Sequence, residues 1–368
     1  MTSTLPPQDA GVAPPRGRGC LPRLGIGLLV LLGLYVFGLL FVPPIQTATR
    51  TVVLLPELIE LPLRPLSLVT SQPVRETTSY GEPADRLDIY LPADAQPDGR
   101  HPAVVLVLGV HPQPLDSPDV VRIASSMARL GVVVGVPDSA ALRETRIEPT
   151  EPAHLADAVL AVARRPEVDR RRVGLAGFSA GASVALIAAA DPRIARELRF
   201  VSSFGAYSDA MTLLIDVATR TSYLGGEQVP WPADAGITAD LRALFLRTSG
   251  DQQLTDELFA QTNRPAARAV IEDHAGWLVA DLEQVSPIAF ADRIRAPVFL
   301  LHGDGDNAIS VAHSIELEQA LGDRVVKFTR FGQFGHGQPG QEGLGLGDAP
   351  DIWALLLYLH EVVAAATE

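Results

Sequence analysis

Two patterns of apolar residues alternate along the chain from residue 74 onwards. Ala103–Leu108 is a continuous apolar run, as expected for a strand that is buried on both faces of a sheet. In the next segment, Asp119–Leu130, apolar residues recur every three or four positions, which is typical of an amphipathic helix. This alternation predicts an α/β fold with a mostly parallel central sheet and helices on both faces. The other predicted strands are Val132–Val136, Arg172–Ala176, Phe200–Ser203 and Val298–His302, and the other predicted helices are Ala153–Arg165, Ala180–Ala190 and Asp351–Ala366.

Two regions depart from this alternation. Val74–Tyr80 and Arg86–Leu91 flank a Gly-Glu-Pro turn and are predicted to form a β-hairpin. Between about residues 207 and 291 the alternation stops, and the sequence indicates short helices and no strand. We therefore expect a helical insertion between two core strands, placed as a cap over the domain.

An uncharged apolar segment, Leu24–Val42, lies near the N-terminus and is 19 residues long. A helix needs roughly 20 residues to cross the hydrocarbon core of a bilayer. Three arginines precede the segment and predict, by the positive-inside rule, a cytoplasmic N-terminus and an extracytoplasmic catalytic body. The alternative is a cleavable signal peptide, whose apolar region is usually about 7–15 residues long. The longer run favours a retained single-pass membrane anchor.

The segments on either side of this span are rich in proline. The first is predicted to be a disordered cytoplasmic tail. In the second, Pro56, Pro62 and Pro65 are expected to exclude a long helix from residues 52–69. The predicted boundaries are a tail at 1–23, a transmembrane helix at 24–42, a Pro-rich apolar linker at 43–73 and an α/β domain at 74–368, with its cap at about 207–291.

Composition and charge exclude several classes of function. The only cysteine is Cys20, so the chain has no intramolecular disulfide and no cysteine-based zinc cluster. The formal net charge is −13, and a body this acidic repels a phosphate backbone, so nucleic acid is not an expected partner.

The pattern G-x-S-x-G occurs where a predicted strand runs into a predicted helix. The residues are Gly177-Phe178-Ser179-Ala180-Gly181. A strand–turn–helix junction of this kind lifts the serine hydroxyl above the carboxyl ends of the strands, and the turn is so tight that the flanking residues must be small. The alternative is a glycine-lined helix start with an unreactive serine. The strand and helix on either side favour a nucleophile at Ser179.

A nucleophilic serine needs a base and an acid that orients the base. Downstream of Ser179, the predicted strand Val298–His302 runs into a loop with two carboxylates, Asp304 and Asp306. His336 follows in a glycine-rich stretch before the last predicted helix. The order serine, acid, histidine is the one that this chemistry uses on a parallel sheet. Either carboxylate of the loop is a candidate for the acid.

With these motifs, residues 74–364 resemble the α/β-hydrolase superfamily, and in particular its dienelactone hydrolase-like and acetyl esterase-like branches. The family motif H-G-x-x-D implies that Asp306 is the catalytic acid, which leaves Asp304 to brace the loop. The family's G-H pair implies that His336 is the base.

The resemblance also implies an oxyanion hole made by the backbone N–H groups of Ala180 and Val110. The first strand of the family ends in His-Gly, whereas this chain has Leu108-Gly109-Val110-His111. The glycine therefore matches and the histidine does not. Ile309-Ser310 stands where the family often has Val-Pro.

The expected function is that of a membrane-anchored serine hydrolase, a carboxylic ester hydrolase that forms an acyl-enzyme. No metal or cofactor is expected. The substrate would be a small-molecule ester or related acyl compound, and apolar cap residues suit either an apolar substrate group or packing against the core. One alternative is a peptidase or amidase of the same fold, and another is a non-catalytic membrane-anchored binding protein. The cap residues in question are Leu213, Leu214, Leu244 and Phe245.

Other chemistry-bearing residues are assigned structural roles. His302 ends a buried strand and is expected to be a packed or hydrogen-bonded histidine. A metal site built from His302, Asp304 and Asp306 would need further ligands, which the sequence does not supply. Trp231 and Trp277 lie in the insertion, where lining a pocket and packing within the cap are equally expected.

Overall fold

The computed structural model of this chain describes residues 34–38, 42–59, 64–110, 115–332 and 348–367. The chain divides into two compact units, Met1–Gln46 and Thr47–Glu368. Of the predicted membrane span at 24–42, the described residues are 34–38, which are helical, and Val42. The anchor and the orientation predicted from it therefore stay predictions.

The larger unit is built on an eight-stranded, mostly parallel sheet with the strand order β1-β2-β4-β3-β5-β6-β9-β10. β1 and β2 form the antiparallel hairpin that the sequence predicts, and β2 also pairs antiparallel with β4. The remaining pairs in the sheet are parallel, which confirms the predicted class. The strands are β1 (Val74–Tyr80), β2 (Asp85–Leu91), β3 (His101–Val107), β4 (Val133–Pro137), β5 (Val168–Phe178), β6 (Leu198–Phe204), β7 (Thr221–Leu224), β8 (Glu227–Pro230), β9 (Val298–Gly303) and β10 (Val325–Phe331).

Helices cover both faces of this sheet. One apolar cluster joins one face to α5, α6 and α12, and a second joins the other face to α3 and α13. Side chains of β3 alternate between the two clusters, as the two-residue period of a strand requires. The helices are α1 (Pro43–Leu58), α2 (Pro65–Val69), α3 (Pro118–Arg129), α4 (Ala140–Arg143), α5 (Glu151–Ala163), α6 (Ala180–Ala188), α7 (Ala210–Thr219), α8 (Ala235–Ser249), α9 (Gln252–Phe259), α10 (Arg264–His274), α11 (Gly276–Gln284), α12 (Val311–Leu321) and α13 (Ala349–Thr367), with 3₁₀ turns at Pro287–Arg293 and Gly322–Arg324.

α1 enters the segment at residues 52–69, from which the prolines are expected to exclude a long helix, and it ends within that segment at Leu58. It begins at Pro43, where a missing N–H costs nothing because first-turn amides have no partner within the helix. Pro56 lies in the last turn, and only two residues of the helix follow it. The hydrogen bond that this proline cannot make is therefore lost close to the end of the helix. Leu54 of α1, Leu66 of α2 and Val363 of α13 form a small apolar cluster.

α13 closes the described chain and covers one face of the sheet. It is the one helix among the described residues that is long and apolar enough to cross a membrane. Its Tyr358 hydroxyl lies 2.8 Å from the hydroxyl of Ser202 and donates to the Phe299 carbonyl at 3.2 Å. These bonds to β6 and β9 fasten α13 to the sheet.

The segment between β6 and β9 is a cap with an apolar core of its own. That core is formed mainly by α7, α8, α9, α10 and α11. The expectation that the insertion contains no strand is wrong, because β7 and β8 form a small antiparallel hairpin. Its turn is Gly225-Gly226, and both glycines have positive φ, as a two-residue type I′ turn requires.

Candidate active site

Ser179 occupies the turn between β5 and α6. Its backbone has φ 55° and ψ −136°, a conformation that a non-glycine residue adopts at a cost of about 1–3 kcal/mol. The turn is held by a hydrogen bond of 2.8 Å from the Ser179 N–H to the Phe204 carbonyl at the end of β6. The surrounding structure therefore enforces a strained serine at the carboxyl end of the central strand.

Glycine is required at the positions around Ser179 because a side chain there would clash with neighbouring atoms. A Cβ atom on Gly181 would lie 2.0 Å from the Leu108 carbonyl oxygen, and one on Gly177 would lie 2.5 Å from the Cα of Ala182. Two residues beyond the end of the neighbouring strand β3, a Cβ on Gly109 would lie 2.8 Å from the Cβ of Ser179. The end of β3 thus approaches the serine closely, as the G-x-S-x-G interpretation requires.

The two predicted oxyanion donors lie close to this serine. Ala180 is the first residue of α6, where backbone N–H groups have no partner within the helix and the helix dipole favours negative charge. Val110 follows the end of β3, and both residues line the same cavity as Ser179. His111, the next residue after Val110, is outside the described residues.

The two carboxylates of the loop after β9 have different surroundings. Asp306 is 2% exposed, and its Oδ1 accepts hydrogen bonds from the N–H groups of Ala308 at 2.8 Å and Ile309 at 2.9 Å. The Asp304 side chain is 39% exposed and pairs with Arg330 on β10 at 2.6 Å. Asp306 is therefore the buried, oriented carboxylate, and Asp304 braces the loop against the neighbouring strand.

His302 has the structural role expected of it. It is fully buried, and its Nε2 lies 2.8 Å from the Ile309 carbonyl oxygen while its Nδ1 lies 2.6 Å from the Ser314 hydroxyl. A carbonyl can only accept, so Nε2 carries the proton in this arrangement. The same Nε2 lies 3.5 Å from Oδ2 of Asp306. His302 thus connects the end of β9 to the far side of the acid loop.

His336 lies outside the described residues, five positions along the chain from the end of β10. In the described part of the chain, no group of three or more His, Cys, Asp or Glu side chains is arranged to hold a metal ion.

A cavity of about 350 Å³ opens beside Ser179. The four apolar cap residues singled out in the sequence all line it, together with Ile309 of the acid loop. Four acidic or basic side chains, Arg146, Glu148, Asp240 and Asp281, also border the cavity. A second apolar cavity of about 240 Å³ lies beneath α13, and the described residues that line it include no acidic or basic side chain.

Sequence reasoning missed a buried charged cluster that joins the cap to α12. Asp216 on α7 is paired with Arg264 on α10, and its Oδ2 lies 3.7 Å from Nε2 of His313 on α12. Burial raises the pKa of Asp216 to about 6 and lowers the pKa of His313 to about 3, so the imidazole is neutral at pH 7. Asp216 lies in an otherwise apolar helix, and a lone acid there gives no sequence signal of its partner.

Sequence reasoning also missed the role of Trp231. The indole is 8% exposed and its Nε1–H donates a hydrogen bond of 2.9 Å to the backbone carbonyl of Asp306. Trp277, the other cap tryptophan, is 53% exposed. The two residues are indistinguishable in the sequence, because which of them faces the acid loop depends on the packing of the whole cap.

No family model and no curated protein matches this sequence. Solved structures do resemble it. An acylaminoacyl peptidase in complex with Z-Gly-Gly-Phe-chloromethyl ketone is 15% identical with a TM-score of 0.52, over 76% of this chain and 40% of its own. A Mycobacterium tuberculosis puromycin-hydrolyzing peptidase is 18% identical with a TM-score of 0.51, over 79% and 39%. Porphyromonas gingivalis dipeptidyl peptidase 4 is 15% identical with a TM-score of 0.50, over 82% and 37%.

This chain therefore spans about two fifths of the length of those peptidases. At such identities the likeness establishes the fold. The neighbours are α/β-hydrolases. The parallel sheet, the sharp turn after β5 and the helical cap show that this chain has the α/β-hydrolase fold.

Proposed function

We propose that this chain is a serine hydrolase in which Ser179 is the nucleophile, His336 the base and Asp306 the acid that orients it. The observation that carries the proposal is the strained backbone of Ser179. This serine stands at a glycine-lined strand–helix turn on the wall of an apolar cavity. Strain of this kind persists only where the surrounding structure enforces it, and it is concentrated at functional sites.

The order of the strands supports the choice of acid and base. β5, β9 and β10 are parallel members of one sheet, so their carboxyl ends lie at one edge. Ser179 follows β5, Asp306 follows β9, and His336 follows β10 in the sequence. Asp306 is preferred to Asp304 because its carboxylate is buried and fixed by two backbone N–H groups.

The proposed reaction is acyl transfer to water. His336 takes the proton of Ser179 as the hydroxyl oxygen attacks the carbonyl carbon, and the N–H groups of Ala180 and Val110 stabilise the oxyanion. Each such donor typically contributes about 3 kcal/mol to the lowering of the barrier. His336 then protonates the leaving group, and a water molecule, activated by the same histidine, releases the acyl group from Ser179. Asp306 holds the imidazole in the required tautomer and stabilises its charged form.

Two bond classes fit this mechanism. The three solved structures described above are named as peptidases, which favours an amide or peptide bond over the carboxylic ester expected from the sequence. The apolar cavity beside Ser179 supports an apolar group next to the scissile carbonyl in either case. We therefore propose a peptidase or amidase first and a carboxylesterase second. The uncharged segment Leu24–Val42 supports anchoring in a membrane as part of the same proposal.

The test uses matched substrates that differ only in the scissile bond. The full chain is assayed with p-nitroanilides and p-nitrophenyl esters of the same series of apolar acyl groups, beside Ser179→Ala. We expect the wild type to hydrolyse both series and Ser179→Ala to lose at least a thousandfold in kcat, since the nucleophile acts as a unit with its base. Cleavage of esters alone would favour the carboxylesterase, and no cleavage of either series by the folded wild type would favour a binding protein.

A further inference from the structure

One edge of the cap is hydrogen-bonded to the loop that carries Asp306. The indole N–H of Trp231 donates to the Asp306 carbonyl at 2.9 Å, and the backbone N–H of Asp234 donates to the Asn307 carbonyl at 2.7 Å. Farther along, the hydroxyl of Ser222 donates to that of Ser310 at 2.7 Å. These three bonds, which we call the acid clasp, join residues 222–234 of the cap to residues 306–310.

The same loop is held from the opposite side by the core. His302, at the end of β9, bonds the Ile309 carbonyl, and the Asp306 carboxylate bonds the N–H groups of Ala308 and Ile309. The loop is therefore fixed between the sheet and the cap. A cap that opened at this edge would have to break the acid clasp.

We infer that Trp231 is a positioning residue for the catalytic acid, an inference that rests on the proposed function. Its hydrogen bond fixes the peptide plane between Asp306 and Asn307, and this plane determines the direction in which the Asp306 side chain leaves the backbone. The indole is itself held in the apolar core of the cap. The folded cap thereby fixes the orientation of the Asp306 carboxylate. A small displacement of a catalytic group lowers the rate of reaction substantially.

The alternative role for Trp231 is packing alone. The two roles differ in whether the indole N–H group is needed for activity. Trp231→Phe removes the donor and part of the ring. Replacing Trp231 with β-(3-benzothienyl)alanine removes only the donor, because sulfur takes the place of the N–H in a ring of nearly the same shape. Trp277→Phe is the matched control, since Trp277 lies in the same cap and is largely exposed.

The experiment measures kcat, KM and the pH dependence of kcat/KM for these full-length proteins, together with their rates of reaction with a fluorophosphonate. We expect both Trp231 variants to lose about tenfold in kcat with little change in KM. The acid limb of kcat/KM should move to lower pH, because a poorly placed Asp306 stabilises the charged imidazole less. Trp277→Phe should match the wild type.

Three results would overturn the inference, each in a different way. If the benzothienyl variant keeps the wild-type kcat and pH profile, the hydrogen bond does not position the acid, and the proposed function stands. If the folded wild type does not react with the fluorophosphonate at all, the proposed function fails and the inference fails with it. A loss of thermal stability in Trp231→Phe with no change in the acid limb would assign Trp231 to packing alone.

Discussion

Ser179 can occupy its tight turn only because the residues two positions away on either side, Gly177 and Gly181, lack side chains. The backbone carbonyl of Leu108 occupies the place that a methyl group on Gly181 would need. The contact is with backbone, so it cannot be relieved by rotation of a side chain. The same approach places Val110, the second predicted oxyanion donor, beside the serine.

Substitution of Gly181 should therefore harm both stability and activity. We expect Gly181→Ala to lower the free energy of unfolding by about 1–3 kcal/mol, as overpacking of a close-packed site does, and to lower kcat because Leu108 and its neighbours must move. The control is Gly276→Ala, where nothing lies within 4 Å of the added methyl group at the start of α11. Urea unfolding and hydrolysis assays of both variants check this, and a Gly181→Ala protein as stable and active as Gly276→Ala would contradict it.

The surroundings of Asp304 and Asp306 could not be predicted from the sequence. Both carboxylates follow the same predicted strand, two positions apart, so the pattern of strand and loop does not separate them, and only the resemblance to the family motif favours Asp306. The structure distinguishes them by their partners. Asp304 pairs with a side chain that is remote in the sequence, and Asp306 accepts hydrogen bonds from backbone N–H groups. Arg330 lies on β10, a strand that the sequence analysis does not predict, and the N–H groups beside Asp306 become available only when the loop folds.

The strands whose two faces are both buried were predictable from the sequence. The strands that the sequence analysis missed, β10 and the cap hairpin, do not show that apolar pattern. Continuous apolar runs such as Ala103–Leu108 are typical of central parallel strands, and the structure places β3 there. β10 lies at the edge of the sheet, where its polar residues Lys327 and Arg330 interrupt the apolar pattern. The cap hairpin is too short for a period to show, although Gly225-Gly226 between two short runs is a recognisable hairpin turn.

In the larger unit as a whole, the cap contacts the core through buried polar groups. Asp216 and Arg264 belong to the cap, whereas His313 and Glu316 belong to α12, and all four lie close together. Such a cluster costs desolvation free energy, which the ion pair between Asp216 and Arg264 offsets in part. The arrangement gives the stability of this unit a definite dependence on pH.

Asp216 and His313 contribute to that dependence with opposite signs, because burial raises the pKa of the carboxyl and lowers the pKa of the imidazole; comparison with Asp216→Asn isolates the contribution of Asp216. Burial raises its pKa from 3.8 to about 6, so the folded protein holds the proton more tightly than the unfolded chain does. The resulting stabilisation is fully present below about pH 4 and is lost as the pH rises through about 6, which amounts to about 2 kcal/mol between pH 4.5 and 7.5. Asp216→Asn removes this proton uptake.

Urea unfolding of the wild type and Asp216→Asn at pH 4.5 and 7.5 measures the effect. We expect the stability of the wild type relative to the variant to fall between the two pH values. A relative stability that rises instead would mean that the pair with Arg264 outweighs burial and holds the pKa of Asp216 below its ordinary value.

The central claim is that Ser179 is a nucleophile activated by a histidine that Asp306 orients. The most direct measurement is the intact mass of the full chain after reaction with a fluorophosphonate, with the adduct located by peptide mapping. This mechanism predicts one adduct, on Ser179, and none in Ser179→Ala. It also predicts labelling slowed by about a thousandfold or more in Asp306→Asn and nearly unchanged in Asp304→Asn. No adduct on the folded wild type, or slow labelling in Asp304→Asn rather than Asp306→Asn, would contradict it.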